Sequence, residues 1–211
     1  MCGYPIALGL GDVIPIAAPI PDFDWAEGKA RYRSDLIVRA DSPFQSLEAT
    51  FGGCIGWTVD HSQSGFNALR HHLLPYRTPG RPTLYRQSVG PLVTARRVLD
   101  EVIAGTIDVG PLDAYWHQLI ARARPDLTEQ IRVVDVTATV PMPAFVASSA
   151  MPADDVRRLK EAFVAAADRP WFAALGADLL VTGFVPVDAA AYSETLARRD
   201  TALDARYPIP S

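Results

Sequence analysis

The residues best suited to chemistry form one short run, "DHSQSG" at residues 60–65. An apolar stretch, "CIGWTV", ends in it. An amphipathic stretch follows, with Phe66, Leu69, Leu73 and Leu74 at helical spacing. A helix starting there leaves its first backbone N–H groups without intrahelical partners, and they carry about half a positive elementary charge. Such groups hydrogen-bond phosphate, sulfate or carboxylate. Ser62 and Ser64 add hydroxyl donors without charge, Gln63 lies in the same turn, and Gly65 lets the backbone approach a ligand closely. The plainer reading makes Ser62 or Ser64 only an N-cap, worth about 1 kcal/mol. From this segment alone both readings stand.

A second candidate lies in "IDVGPLDAYWHQ", where Asp113 falls at a strand-to-helix turn. In open α/β sheets that edge faces the ligand crevice. Asp113 there accepts a hydrogen bond from a protonated ligand oxygen or an amine, or it serves only as an N-cap. Tyr115 and His117 follow on the polar side of the same helix, which makes His117 a surface residue on the plain reading. A third turn, "SVGPLVT", offers Ser88 and Thr94, with Thr94 expected one turn inside the next helix.

Enzyme signatures are sparse. The sequence has no G-x-S-x-G elbow, H-E-x-x-H pair, Walker loop or spaced Cys/His set, so neither a metal nor a cofactor is expected. A Ser-His-Asp triad drawn from Ser64, His117 and Asp113 has nothing in the spacing to support it. Cys2 and Cys54 are too few for a disulfide framework and are expected to be free thiols, a single bridge being the alternative if the lobes bring them together.

The elements that must position these residues alternate. Strand-like runs fall at residues 12–20, 32–40, 54–59, 83–89, 107–112, 131–140 and 144–148. Helical period appears at 92–105, closed by Gly105, at 113–124 before Pro125, at 151–167, and at 186–205. Strands alternating with helices predict parallel βαβ units covered on both faces. The runs at 32–40 and 131–140 lack turn residues where a globular boundary would fall, so both are expected to cross between two lobes. One lobe is then residues 1–36 with 138–211, and the other is 37–137.

A formal charge of −4 with no basic stripe argues against nucleic acid as a partner. No stretch approaches the roughly 20 apolar residues that span a bilayer, so direct membrane insertion is not expected. The N-terminal "MCGYPIALGLGDVIPI" carries Asp12 within its apolar run and lacks a basic start, so it is not expected to act as a signal peptide.

Several segments in order resemble the phosphate/phosphonate-type substrate-binding proteins of ABC importers. They are "CGYP", "YRSDLIVRADSPFQSLEATFGG", "SQSGFNALR", "GPLVTARRVLDEVIAGTIDVGPLDAYWHQL" and "TATVPMPAFVAS". The resemblance implies the type 2 periplasmic-binding-protein fold, in which two α/β lobes are joined by crossing strands and ligand sits in the cleft. It matches Ser62, Gln63, Ser64 and Gly65 to an oxyanion-binding turn, Asp113 and Tyr32 to cleft-lining positions, and Thr94 and Tyr4 more loosely. Family members usually carry a further βα stretch before the "CGYP" point, so a truncated first lobe is expected here. Many also have a "GSH"-like turn where this chain reads "SVGPLVT".

The expected function is reversible capture of a small anion such as phosphate or phosphonate, with an ABC permease as partner; the resemblance implies the periplasm as location, with a cytoplasmic or truncated chain as the alternative. A small-molecule enzyme on the same fold is the alternative, acting on an aromatic or carboxylic substrate with Asp113 or a histidine as acid/base. Ligand released unchanged separates the two.

Overall fold

The computed structural model describes residues Met1–Ser211. Its strands are β1 (Val13–Pro21), β2 (Arg31–Tyr32), β3 (Ser34–Arg39), β4 (Cys54–Gly56), β5 (Gln87–Val89), β6 (Gly110–Asp113), β7 (Ile131–Val136), β8 (Val140–Pro141), β9 (Phe145–Ser148) and β10 (Val181–Pro186). The α-helices are α1 (Gly3–Ala7), α2 (Ala68–Leu73), α3 (Ala95–Ala104), α4 (Ala114–Ala123), α5 (Pro125–Thr128), α6 (Ala153–Val164), α7 (Phe172–Leu179) and α8 (Ser193–Asp204). The chain forms two α/β units: Met1–Tyr32 with Thr139–Leu196, and Arg33–Ala138 with Ala197–Ser211. It passes between them where β2 gives way to β3, again between β7 and β8, and a third time within α8, after Leu196.

In the first unit a three-stranded sheet runs β10–β1–β9, antiparallel throughout. Its central strand carries Pro15, Pro19 and Pro21, none of which can donate to a ladder. The register shifts between Pro15 and Ala17 and again between Ile20 and Pro21, which is how a central strand accommodates them. Ile16, Ala17 and Ala147 form a small core, with α6 packed on β1 and β10. Gly3 of α1 lies directly under the Tyr192 ring, where a Cβ would collide, and the Tyr192 hydroxyl donates to the Met142 carbonyl at 3.0 Å.

The second unit is built on the sheet β6–β3–β7, also antiparallel. Both faces of β3 are buried, which explains why its Leu36–Val38 run does not alternate with polar residues. Leu36 and Val38 pack with Leu69 and Leu73 of α2 on one face. Ile37 packs with Val98, Leu99 and Val102 of α3 on the other. Gly105 closes α3 at φ +73°, in the left-handed region where glycine is favoured.

Several expectations need correction. Parallel pairing is confined to β4 with β5 and a single Ile55–Val109 bridge, because strand direction leaves no trace in hydrophobic period. β10 is a strand the sequence conceals, since Gly183 and Pro186 punctuate its apolar run. Residues 83–86 are not strand, although Leu84 and Tyr85 are buried. The C-terminal segment, expected in the first lobe, belongs to the second unit. Tyr207 joins the Leu36 core, and Leu84 N–H donates to the Ser211 carbonyl at 2.8 Å.

Candidate functional site

Strand β4 ends at Gly56, and the chain turns at Ser62 into a single π-helical turn, Gln63–Asn67, that runs directly into α2. Ser62 is extended (φ −81°, ψ 133°), and its Oγ accepts from the Gly65 N–H at 3.0 Å. The wide turn is closed by Asn67 N–H donating to the Ser62 carbonyl at 2.9 Å. Such one-turn π insertions cost hydrogen-bond geometry and recur at functional sites. Here a buried polar ladder supports it: Asn67 Nδ2 donates to Gln63 Oε1 at 2.9 Å, and Arg70 donates to Asn67 Oδ1 at 3.1 Å. Gln63, Asn67 and Arg70 are all buried, and the Arg70 guanidinium also lies over the Phe66 ring.

Two contacts fix the turn to its surroundings. The Ser34 hydroxyl on β3 donates to the Ser64 carbonyl at 2.9 Å. On the other side, Thr58 N–H donates to the Gly65 carbonyl at 3.1 Å, and a Cβ on Gly65 would collide with the Thr58 side chain. Glycine at 65 is therefore required by close approach, since its φ is unremarkable. The Thr58 Oγ1 is buried with no hydrogen-bond partner. The Thr58 carbonyl in turn accepts from Val93 N–H at 3.3 Å, which brings the start of α3 to the same strand tip. Val93 holds φ +71°, a costly conformation for a β-branched residue. Thr58 and Val93 were not singled out from sequence. Nothing in their residue types marks them, because their roles come from long-range packing.

Thr94 is the N-cap of α3, its Oγ1 accepting from Arg97 N–H at 3.1 Å, and not a residue inside the helix as expected. The Ser88 hydroxyl accepts from Trp57 Nε1 at 3.0 Å and donates to the Pro210 carbonyl, so it is engaged within the fold.

Asp113 ends β6 and caps α4, accepting from Trp116 N–H at 3.0 Å. Burial pushes its carboxyl up to about 6; the N–H groups of Trp116 and Tyr115 oppose that shift, and the charge of Asp35 adds to it. Asp113 stands opposite Ser34 in the β3–β6 register. Ser34 thus joins the two candidates, paired with Asp113 through its backbone and with Ser64 through its side chain. His117, expected on the surface, is buried. Its Nδ1 lies 2.8 Å from Asp35 Oδ2, a pairing invisible to helical period because β3 supplies the partner.

Tyr4 and Tyr32 lie in the first unit, both buried. The Tyr32 hydroxyl is 3.7 Å from Cys2 Sγ, within range of a weak hydrogen bond to sulfur. Cys2 and Cys54 are free thiols. No group of three His, Cys, Asp or Glu side chains is placed to hold a metal ion, and no helix is long and apolar enough to cross a membrane.

Two α/β units with strands crossing between them define a type 2 periplasmic-binding-protein-like fold. Residues 3–192 match the family described as ABC transporter, phosphonate, periplasmic substrate-binding protein, and the chain belongs to that family. Among solved structures it is similar to XAC2383 from Xanthomonas citri bound to ATP, with 24% identity over 97% of this chain and 76% of that one and a TM-score of 0.63. It also resembles the binding protein component of an ABC phosphonate transporter from Pseudomonas aeruginosa, with 16% identity over 92% and 64% of the two chains and a TM-score of 0.76. PhnD1 from Prochlorococcus marinus, in complex with methylphosphonate, has 14% identity over 92% and 72% and a TM-score of 0.73. These likenesses establish the shared fold, and the chain spans 64% to 76% of the length of the three. No curated protein matches it by sequence.

Proposed function

We propose that this chain is the solute-binding component of an ABC-type importer, working with a permease at the periplasmic face. Its ligand is a small oxyanion that carries a shareable proton. The observation behind this reading is the Ser34 junction, which sets the turn at Ser62–Gly65 beside Asp113, whose carboxyl desolvation pushes up to about 6. The hydroxyls of Ser62 and Ser64 and the turn amides other than the Gly65 N–H, which donates to Ser62 Oγ, are the donors assigned to the anion. Gln63 buttresses the turn from within, and Thr94 is a further assigned position in the same unit.

Asp113 decides the ligand class. An ionised carboxylate beside a fully ionised anion is repulsive, so at least one side of that contact must carry a proton. Phosphate and phosphonates retain a dissociable proton in the neutral range, whereas sulfonates do not. Methylphosphonate, the ligand of the Prochlorococcus marinus relative, fits this requirement. ATP, the ligand of the Xanthomonas citri relative, has a terminal phosphate of the same chemistry.

A second reading is an enzyme on the same fold, favoured by one feature: a carboxyl with a midpoint of about 6 suits general acid–base work near neutral pH. The test is thermal shift and calorimetry of the purified chain with methylphosphonate, followed by recovery of the ligand. Saturation at 100 times Kd adds about 2.7 kcal/mol of stability. Ligand recovered intact supports capture; a converted product supports the enzyme. No binding by wild type, or unchanged affinity in the double variant Ser64→Ala/Asp113→Ala, overturns the site assignment.

A further inference from the structure

We propose that Asp35 and His117 form a positioning pair that holds one exchangeable proton behind the β3–β6 ladder and sets the charge state of Asp113, making anion capture proton-linked. The inference rests on the ligand site proposed above.

Side chains alternate along β3, so Ser34 and Asp35 serve opposite faces of one sheet. Ser34 reaches the Ser64 turn, while Asp35 points to the α4 side and meets His117. His117 is one helical turn beyond Asp113 on α4, and Asp35 stands opposite Leu112, the residue before Asp113. The pair is tightly enclosed, with Asp35 only 4% and His117 only 8% exposed. Arg33 Nε lies 3.5 Å from the other Asp35 oxygen.

A buried carboxylate is tolerated only when paired. When His117 is an imidazolium, Asp35 has two cationic neighbours. When the imidazolium releases its Nε2 proton to solvent, Nδ1–H still donates to Asp35, but only Arg33 remains charged. The pair's net charge therefore changes by one unit, in a setting of reduced dielectric where Asp113 feels it. The direction agrees with the charge of Asp35, which adds to the burial that strengthens Asp113's hold on its proton.

The other groups around α4 and β6 do not compete for this role. The π turn Gln63–Asn67 contains no ionisable residue. α3 turns Val98, Leu99 and Val102 inward, while its charges pair as Arg96–Asp100 and Arg97–Glu101. On α5, Asp126 is held by Arg124, and on β7, Asp135 is engaged by His72. The Tyr115 hydroxyl is pushed upward by burial and by Asp113 itself, so it stays neutral.

The test is an NMR titration of the Asp113 carboxyl and the His117 imidazole in the ligand-free full chain, for wild type, Asp35→Asn and His117→Gln. Asp35→Asn is expected to lower the Asp113 midpoint, and His117→Gln to raise it, each by about half a pH unit or more. If Asp35→Asn does not fold, His117→Gln decides. An Asp113 midpoint that stays put while the melting temperature falls would assign the pair a purely structural role and overturn the proposal. Methylphosphonate affinity measured from pH 5 to 8 gives the functional readout, whose midpoint should move with that of Asp113. Wild type that binds no methylphosphonate defeats the ligand reading, whereas the ligand-free titration judges the pair independently.

Discussion

Ser34 and Ser64, thirty positions apart in sequence, are joined by a 2.9 Å hydrogen bond from the Ser34 hydroxyl to the Ser64 carbonyl. The backbone of Ser34 is clamped as well, with its N–H on Thr137 Oγ1 and its carbonyl accepting from Thr137 N–H, both at 2.9 Å. Substitution Ser34→Ala removes only the side-chain tie. The expected loss is about 1 kcal/mol of stability by denaturant unfolding, with a several-fold weaker affinity for methylphosphonate. Unchanged affinity would mean that the turn keeps its geometry without β3.

Thr58 tests the other support of the turn. Its hydroxyl is buried without a partner, which costs free energy. Thr58→Val keeps the shape that excludes a Cβ at Gly65 and removes the unpaired group. It should raise stability by about 1 kcal/mol. Gly65→Ala should instead cost about 1–3 kcal/mol through overpacking against Thr58. Equal stabilities for the two variants would contradict the close approach of Gly65 to Thr58.

Val93 stores strain at the start of α3. Its φ of +71° suits glycine, and its side chain is 64% exposed, so little packing is lost on truncation. Val93→Gly is expected to stabilise the protein by about 1 kcal/mol. A lower melting temperature would show that the valine side chain is needed where it stands.

The parts of this molecule carried by local pattern were legible in the sequence, and those carried by long-range contacts were not. Gly105 as the end of α3 and Asp113 at the strand-to-helix turn follow from capping chemistry within a few residues. The 62–65 turn was legible as a cap or a cradle, and its Ser62 N-cap is present, but the π insertion that widens it has no sequence signature. Pairing direction was misread, because an antiparallel β3 and a parallel one show the same apolar run. His117 was placed on the surface since its helix offers no partner; Asp35, eighty-two positions away, supplies one. Thr58 and Val93 become visible only once β4 and α3 are brought together.

Asp113 gives the fold a pH dependence whose sign is opposite to that of a salt-bridged aspartate. Its carboxyl rises from the ordinary 3.8 to about 6 on folding, so the native state binds the proton more tightly than the unfolded chain. The resulting stabilisation is fully present below pH 3.8 and is lost as pH rises through about 6. That gap corresponds to a few kcal/mol, on the order of 2–3. Asp113→Asn removes this contribution, so wild type should lose stability relative to the variant between pH 4 and pH 7. Parallel unfolding curves at both pH values would show that Asp113 is solvated as an ordinary carboxylate.

The same carboxyl orders the ligands. At pH 7.5 Asp113 is mostly ionised, and a bound anion must bring its own proton to the contact. Methylphosphonate does so, while methanesulfonate, of nearly the same shape, has none to offer. Discrimination between them should reach about tenfold or more at pH 7.5, since the sulfonate leaves two negative oxygens facing each other. At pH 5 the Asp113 carboxyl carries the proton itself and donates to either ligand, so the preference should narrow. In Asp113→Asn the amide donates at every pH, and methanesulfonate binding should improve while the pH dependence flattens. Calorimetric titration of both ligands at both pH values, in wild type and variant, reads all of these. A preference that does not change with pH would remove Asp113 from the contact.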